Sequence, residues 1–379
     1  MRRGARWLLA ALLGAAMLAG CSGCSNLGFY WQAASGHVQL MRAARPVPDW
    51  LADPATPEAL RQKLVLAQQI RRYASAELDL PDNSSYTRYA DLGRPAALWN
   101  VVAAPADSLV LHTWCFPVAG CVGYRGYYAL ADAQQEAERL RQEDGLEVAV
   151  YPVPAYSTLG WLDWAGGDPL LSSFIGYPEG ELARLIFHEL AHQVVYVKGD
   201  TMFNESFATS VERLGGTRWL QTHASSEARA AYAAFDAQRQ QFRALALDTR
   251  RQLEAVYARK EEPERMAADK AAVMAAFRAR YAALREGWSG PRQQAYDGWV
   301  QRANNALFAT QAAYDEQVPG FEALFGQARQ QGGDPWPRFY ARVRQLADLP
   351  KDARDRMLSE AAANTPTRSA GAGGPANNK

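Results

Sequence analysis

The chain has 379 residues, 48% of them hydrophobic, which is enough to bury a sizeable core in one large domain or two smaller ones. Its 41 Lys and Arg residues nearly balance its 40 Asp and Glu residues, so the net charge is +1. A chain so close to neutral gives no electrostatic reason to expect a nucleic-acid partner.

Residues 1–20 have the layout of a bacterial export signal. Arg2, Arg3 and Arg6 form a basic start, an apolar run from Trp7 to Ala19 follows, and small residues end it. The run is shorter than the roughly 20 residues that a membrane span needs. We therefore expect this segment to be removed and to take no part in the fold.

The end of the signal, Leu18-Ala19-Gly20-Cys21, resembles a lipobox. That resemblance implies cleavage before Cys21 and attachment of lipid to its sulfur, which would anchor the protein to a membrane and face it toward the periplasm. Ser22 in the next position favours the outer membrane, by resemblance to Gram-negative lipoproteins. An ordinary cleaved signal is the alternative, and Cys24 is a weaker candidate for the lipid site.

The segment before residue 155 predicts a helix followed by a small sheet. The helix starts at Thr56-Pro57-Glu58, where a hydroxyl cap and a proline in the first turn are typical of a helix start. Runs rich in β-branched and aromatic residues predict strands over Ala97–Val102 and Ser108–Phe116, paired with each other. A helix over Ala129–Gln142 and a third strand over Leu146–Val153 complete this part.

Cys115 and Cys121 lie six positions apart, Cys115 in the second predicted strand and Cys121 beyond its end. In an oxidising compartment such spacing favours a disulfide that closes a short loop. A thiol nucleophile and a second metal site are the alternatives.

The segment Glu181–Tyr196 predicts one amphipathic helix, ended at Gly199. His188 and His192 are four positions apart, so their imidazoles lie on one helix face and can bind one Zn²⁺. Glu189 follows the first histidine, where it can reach a water molecule on the metal and act as general base. This is the logic of a His-Glu-x-x-His metallopeptidase motif.

A second helix is predicted from Phe203 to Leu214, closed by Gly215-Gly216. It offers Glu205 and Glu212, which are seven positions apart and can both face the first helix. Either carboxylate can complete a His₂Glu zinc site that leaves one position open, as catalytic zinc sites do.

The rest of the chain predicts long helices. Apolar residues recur at helical spacing over 221–286, with a break at Pro263, which predicts two antiparallel helices that cover the core. A last helical region runs over 293–360, interrupted near Pro319 and at residues 332–335. The small and polar residues 362–379 predict a disordered tail.

Two short motifs carry a resemblance to a known group of enzymes. The run His188–His192, followed by Asn204-Glu205-Ser206-Phe207-Ala208, resembles the gluzincin metallopeptidases, which implies that Glu205 is the third zinc ligand. More closely, the chain is similar to a family of bacterial lipoproteins described as zinc aminopeptidases. The similar runs are 120–128, 155–161, 187–192 and 203–209. The resemblance implies a peptide or protein substrate.

Two features depart from the gluzincin pattern. Glu205 follows His192 by thirteen positions, whereas Glu212 follows it by twenty and matches the longer spacing of the large aminopeptidases. Glu205 has the expected Asn before it, so we favour Glu205 as ligand and leave Glu212 as the alternative or as a residue that orients a ligand. The chain also has no match to the Gly-x-Met-x-Asn motif of those enzymes.

These observations predict an α+β, mainly helical fold, with a zincin-like core over 21–220 and a helical region over 221–361 that packs on it. We expect a zinc metallopeptidase, with Tyr156, Tyr196 and His223 as candidate donors to the oxyanion. A non-catalytic envelope lipoprotein stabilised by zinc and an endopeptidase acting on envelope proteins are the alternatives. The sequence does not indicate an oligomeric state.

Overall fold

The computed structural model describes residues 28–116, 120–155, 158, 160, 163, 166–290, 292–313 and 316–364. The helices are α1 (28–43), α2 (Val47–Ala52), α3 (Glu58–Leu78), α4 (Leu130–Glu143), α5 (Glu179–Ala191), α6 (Thr201–Thr222), α7 (Ser226–Ala258), α8 (Pro263–Glu286), α9 (Asp297–Arg302), α10 (Asn305–Ala313), α11 (Val318–Gln330), α12 (Trp336–Ala347) and α13 (Lys351–Ala363). The strands are β1 (Arg45–Pro46), β2 (Arg88–Ala90), β3 (Leu98–Ala104), β4 (Trp114–Phe116), β5 (Gly120–Val122), β6 (Arg125–Tyr127), β7 (Glu147–Val153) and β8 (Leu170–Leu171). The mainly helical α+β class is therefore confirmed.

Three small sheets replace the single sheet that the sequence predicts. The largest is antiparallel with the strand order β6-β3-β7, and β3 and β7 pair along their whole length, from Leu98 opposite Val153 to Ala104 opposite Glu147. A mixed sheet has the order β1-β2-β8, and β4 and β5 form a separate hairpin.

The predicted pairing of the first two strands is wrong. β3 pairs with β6 and β7, whereas β4 pairs with β5. The strand predicted over 108–116 is also too long, since only Trp114–Phe116 is a strand. Sequence neighbours are the default partners for strands, but β7 has the same length as β3, seven residues, and pairs with it residue for residue.

α5 and α6 form the centre of the main hydrophobic core. α5 buries Leu182, Ile186, Phe187 and Leu190, and α6 runs through the glycine pair that we expected to end it. A Cβ on Gly215 would lie 2.7 Å from Cδ1 of Leu78. The glycines therefore permit close helix packing at the centre of α6 instead of stopping it.

The C-terminal helices share this core with α5 and α6. Aromatic residues of α11 and α12, among them Phe321 and Phe339, contact Phe207 of α6. α7 and α8 form the predicted helical hairpin, in which Phe242 contacts Tyr281 and a second hydrophobic cluster forms with α9 and α10. Helices from the segment before residue 220 and from the segment after it therefore share one hydrophobic core.

Several predicted boundaries shift by a few residues. α3 begins at Glu58, but the Thr56 hydroxyl donates to the carbonyl of Trp50, 2.7 Å away, instead of capping the helix. α5 ends at Ala191, well before Gly199. The predicted interruption near Pro319 is confirmed, since α10 ends at Ala313 and α11 begins at Val318, with Pro319 in its first turn. α13 continues to Ala363, two residues into the predicted tail.

The predicted signal, Cys21, Cys24 and residues 365–379 lie outside the described residues. Among the helices that are described, none combines the length and the apolar character needed to cross a lipid bilayer.

Candidate metal centre

Three side chains of α5 and α6 meet at the C-terminal end of α5. Nε2 of His188 lies 3.2 Å from Nε2 of His192 and 3.3 Å from Oε2 of Glu205. Nε2 of His192 lies 3.8 Å from the same Glu205 oxygen. The three side chains are only 8–13% exposed. The helical spacing of the histidines thus gives the geometry expected from the sequence, and α6 supplies the carboxylate.

This cluster fits a zinc ion. Ligand atoms about 2 Å from one zinc at tetrahedral angles lie about 3.3 Å apart, close to the three distances above. Two imidazole nitrogens and a carboxylate oxygen are zinc ligands of the kind found in catalytic sites. The end of α5 also favours a cation, because a helix carries partial negative charge at its C-terminus. Burial lowers the pKa of His192 to about 4, so its imidazole is neutral, as a ligand must be.

Glu212 lies behind the cluster. Its Oε2 is 3.0 Å from Nδ1 of His188, the ring nitrogen that points away from His192. Burial opposes ionisation of Glu212, but the charges and hydrogen bonds of Arg184 and His188 together outweigh burial and lower the pKa of Glu212 to about 2. Glu212 is therefore a carboxylate that orients the His188 ring, while Nδ1 of His192 has no such partner among the described residues.

Arg184 connects this carboxylate to the helical hairpin. Its guanidinium is buried, 6% exposed, and pairs with the second oxygen of Glu212. It also donates to the Tyr232 hydroxyl, 3.0 Å away, and lies 3.5 Å from Asp236, both on α7. A continuous polar chain therefore runs from α7 through Arg184 and Glu212 to His188.

Asn204 and Asp200 fix the start of α6, the helix that carries Glu205. The Asn204 side chain accepts from the Val197 N–H at 2.7 Å and donates to its carbonyl at 2.8 Å. Asp200 caps α6 by accepting from the Phe203 N–H at 3.2 Å, and its other oxygen lies 2.7 Å from the buried Arg354 of α13. The residue before Glu205 thus holds the connection between the two helices.

Glu189 faces a large cleft beside the cluster. The cleft has a volume of about 990 Å³ and is bounded by α5, α6, α7 and the residues that follow β7. His188, Glu189 and Ala155 are among the residues that line it. Burial raises the pKa of Glu189 to about 7, and no described residue donates a hydrogen bond to its carboxylate. A free carboxylate beside the cluster can exchange protons with a molecule bound in the cleft.

Two of the three predicted oxyanion donors are among the described residues, and they lie at different distances from the cluster. Tyr156 lies outside the described residues. His223 follows the last turn of α6 and stacks on Trp219, so roughly 27 Å of helix separates it from Glu205. Tyr196 lies near Glu205, whose negative charge adds to the effect of burial in raising the tyrosine's pKa. His223 is therefore the wrong candidate.

Two further tyrosines near the cluster were not predicted. Burial raises the pKa of Tyr124, and the charges of Glu205 and Glu189 add to the shift. Burial also raises the pKa of Tyr151 to about 12, with Glu205 contributing. Both hydroxyls stay protonated and can donate hydrogen bonds. They lie on or beside strands far from the motif in sequence, and only the resemblance over 120–128 pointed to one of them.

Cys115 and Cys121 form a disulfide that joins opposite positions of β4 and β5. The hairpin packs against the connection between α5 and α6, since a Cβ on Gly120 would lie 2.8 Å from the Gly199 amide nitrogen. The pairing leaves neither sulfur free as a nucleophile or a metal ligand.

A buried triad that could hold a metal ion, beside a free carboxylate in a cleft, forms a site suited to hydrolysis. The chain belongs to the family described as "Putative aminopeptidase", whose model matches residues 28–358. This membership supports a peptidase activity. No curated protein and no solved structure matches the chain.

Proposed function

We propose that this protein is a zinc-dependent aminopeptidase, with His188, His192 and Glu205 as zinc ligands and Glu189 as general base. The observation that carries the proposal is the convergence of the three ligand atoms at 3.2, 3.3 and 3.8 Å in a buried pocket. Family membership supports the peptidase activity, and the donor set supports zinc. The α5–α6 pair would then be the centre of a zincin-like core.

A zinc ion in this site would supply Lewis-acid chemistry, by activating water and polarising the scissile carbonyl. Glu189 is next to the first ligand in sequence and lines the same cleft as His188. It would accept a proton from the attacking water and later donate a proton to the leaving amine.

Of the two roles that the sequence allows for Glu212, zinc ligand or orienting residue, we assign it the orienting role. Its contact is to Nδ1 of His188, whereas Glu205 faces the Nε2 atoms of both histidines. Its carboxylate would fix the ring and raise its strength as a ligand, as such partners do in other zinc sites.

We further propose that the chain acts in the cell envelope, attached to a membrane through lipid on Cys21. The lipobox-like end of the predicted signal and the oxidised Cys115–Cys121 pair support this location.

Hydrolysis of paired substrates tests the activity. Amino-acid amides of a fluorogenic amine and the same compounds with an acetylated amine should differ, because an aminopeptidase requires the free amine. We expect cleavage of the first set only, loss of activity with a chelator, and a kcat about 10²–10⁴ times lower in Glu189→Gln. If peptides with an acetylated amine were cleaved at internal bonds as fast as the free-amine substrates, the protein would be an endopeptidase. If the zinc-loaded protein cleaved no peptide at all, the proposal would be contradicted.

A further inference from the structure

Helix α1 is attached to the protein by one face only. The Phe29 ring lies under the Arg125 guanidinium, 4.1 Å away, and the Gln32 amide donates to the Gly126 carbonyl at 3.2 Å. Leu40, two turns further along the same face, is 3% exposed. These contacts fix the orientation of the helix on the β6 side of the main sheet.

The opposite face of α1 is apolar and exposed. Trp31 is 75% exposed and Val38 is 44% exposed. Tyr30 is also 44% exposed, but it lies about 100° around the helix from Trp31, and its ring contacts Phe116. Val38 and Arg42 follow Trp31 by seven and eleven positions, which places the three side chains within about 20° of one line along the helix. Single exposed apolar residues are ordinary on a protein surface. Here three of the six large hydrophobic side chains most exposed in the described chain share one helix.

This face lies close to the proposed lipid site. α1 begins seven residues after Cys21, and seven residues span at most about 25 Å when fully extended. A lipid on Cys21 would therefore hold the start of α1 within about 25 Å of a bilayer. Tryptophan and tyrosine favour the interface between water and lipid, and a long arginine side chain can reach lipid phosphates while its stem stays on apolar surface.

We propose that the face of α1 formed by Trp31, Val38 and Arg42 lies on the lipid bilayer surface. The inference rests on the lipid attachment in the proposed function. A flexible tether alone would leave the protein free to rotate. A helix lying in the interface gives a second contact and sets the orientation of the cleft relative to the membrane.

Fluorescence quenching by brominated lipids tests this contact. The lipid-attached chain is placed in vesicles of phosphatidylethanolamine and phosphatidylglycerol, with or without bromine on the acyl chains. Bromine quenches tryptophan only at contact, so the wild type should be quenched more than Trp31→Phe. Val38→Asp should abolish this difference, whereas Val65→Asp on α3, at a valine that is 41% exposed against 44% for Val38, should leave it intact.

Equal quenching of the wild type and Trp31→Phe would overturn the proposal, as would a difference that Val38→Asp does not change. Mass spectrometry of the membrane-extracted chain shows separately whether Cys21 carries lipid. If it does not, the soluble chain is added to the same vesicles and the same comparison decides whether α1 binds lipid. The zinc content should be the same in all of these variants, because α1 does not contribute to the metal centre.

Discussion

Replacing Glu212 by glutamine tests the polar chain that runs from Arg184 to His188. The substitution keeps the size of the side chain but removes its negative charge. Glu212 contacts Nδ1 of His188 and not Nε2, the atom that faces the proposed zinc. A Glu212→Gln protein therefore keeps all three proposed ligands. We expect two separate losses, one in zinc affinity and one in the free energy of unfolding.

The size of each loss follows from the contacts. Removal of a partner that orients a zinc-bound histidine typically weakens metal binding about 10- to 100-fold, which corresponds to roughly 1.4–2.7 kcal/mol. Arg184 is 6% exposed and loses its partner Glu212. Leaving a buried charge without its partner costs about 3–5 kcal/mol, and the lower end applies here because Tyr232 and Asp236 remain in contact with Arg184.

Two assays separate the effects. Competition with a chelator gives the zinc dissociation constant, and denaturant unfolding of the zinc-free protein gives the stability. The double variant Arg184→Met/Glu212→Gln removes both buried charges, so it should regain part of the stability and none of the zinc affinity. Glu181→Gln serves as a control, since its carboxylate pairs with Arg239 in the cleft wall and should not affect zinc. Wild-type zinc affinity in Glu212→Gln would refute the orienting role.

Three further predictions concern other parts of the molecule. Glu189→Gln should keep its zinc and lower kcat by about 10²–10⁴, whereas an unchanged kcat would exclude it as general base. Gly215→Ala should destabilise the zinc-free protein by about 1–3 kcal/mol in denaturant unfolding, and Gly176→Ala, where a Cβ meets nothing within 4 Å, should not. Replacing Cys115 and Cys121 by serine should cost about 2 kcal/mol, from the entropy of a short closed loop; unchanged stability would contradict that.

The metal centre could be predicted in large part because helical geometry fixes it. His188 and His192 are one turn apart on α5, so their convergence depends only on local structure. The choice between Glu205 and Glu212 could not be settled this way. Both face α5, and which atom each one approaches depends on how α6 packs on α5, which the two internal glycines and the Asn204 contacts decide.

The sheet was harder to predict because strand pairing is not local. The runs that form β3 and β7 were recognised, but their partnership joins residues about 50 positions apart, across a hairpin and a helix. Tyr151 lies on β7 and Tyr124 directly before β6, the two partners of β3, and both lie near enough to Glu205 for its charge to raise their pKa. No pattern near the His-Glu-x-x-His motif could reveal them. The glycine pair in α6 was misjudged because a glycine's packing partner, here Leu78 of α3, lies far away in sequence.

Elemental analysis of the purified chain from Ser22 onward, beside Glu205→Ala and Glu212→Ala, tests the central claim most directly. The proposed site of His188, His192 and Glu205 predicts about one zinc per chain in the wild type, no retained zinc in Glu205→Ala, and weakly held zinc in Glu212→Ala. A wild-type protein that binds no metal after zinc reconstitution, or a Glu205→Ala protein that binds zinc as tightly as the wild type, would contradict it.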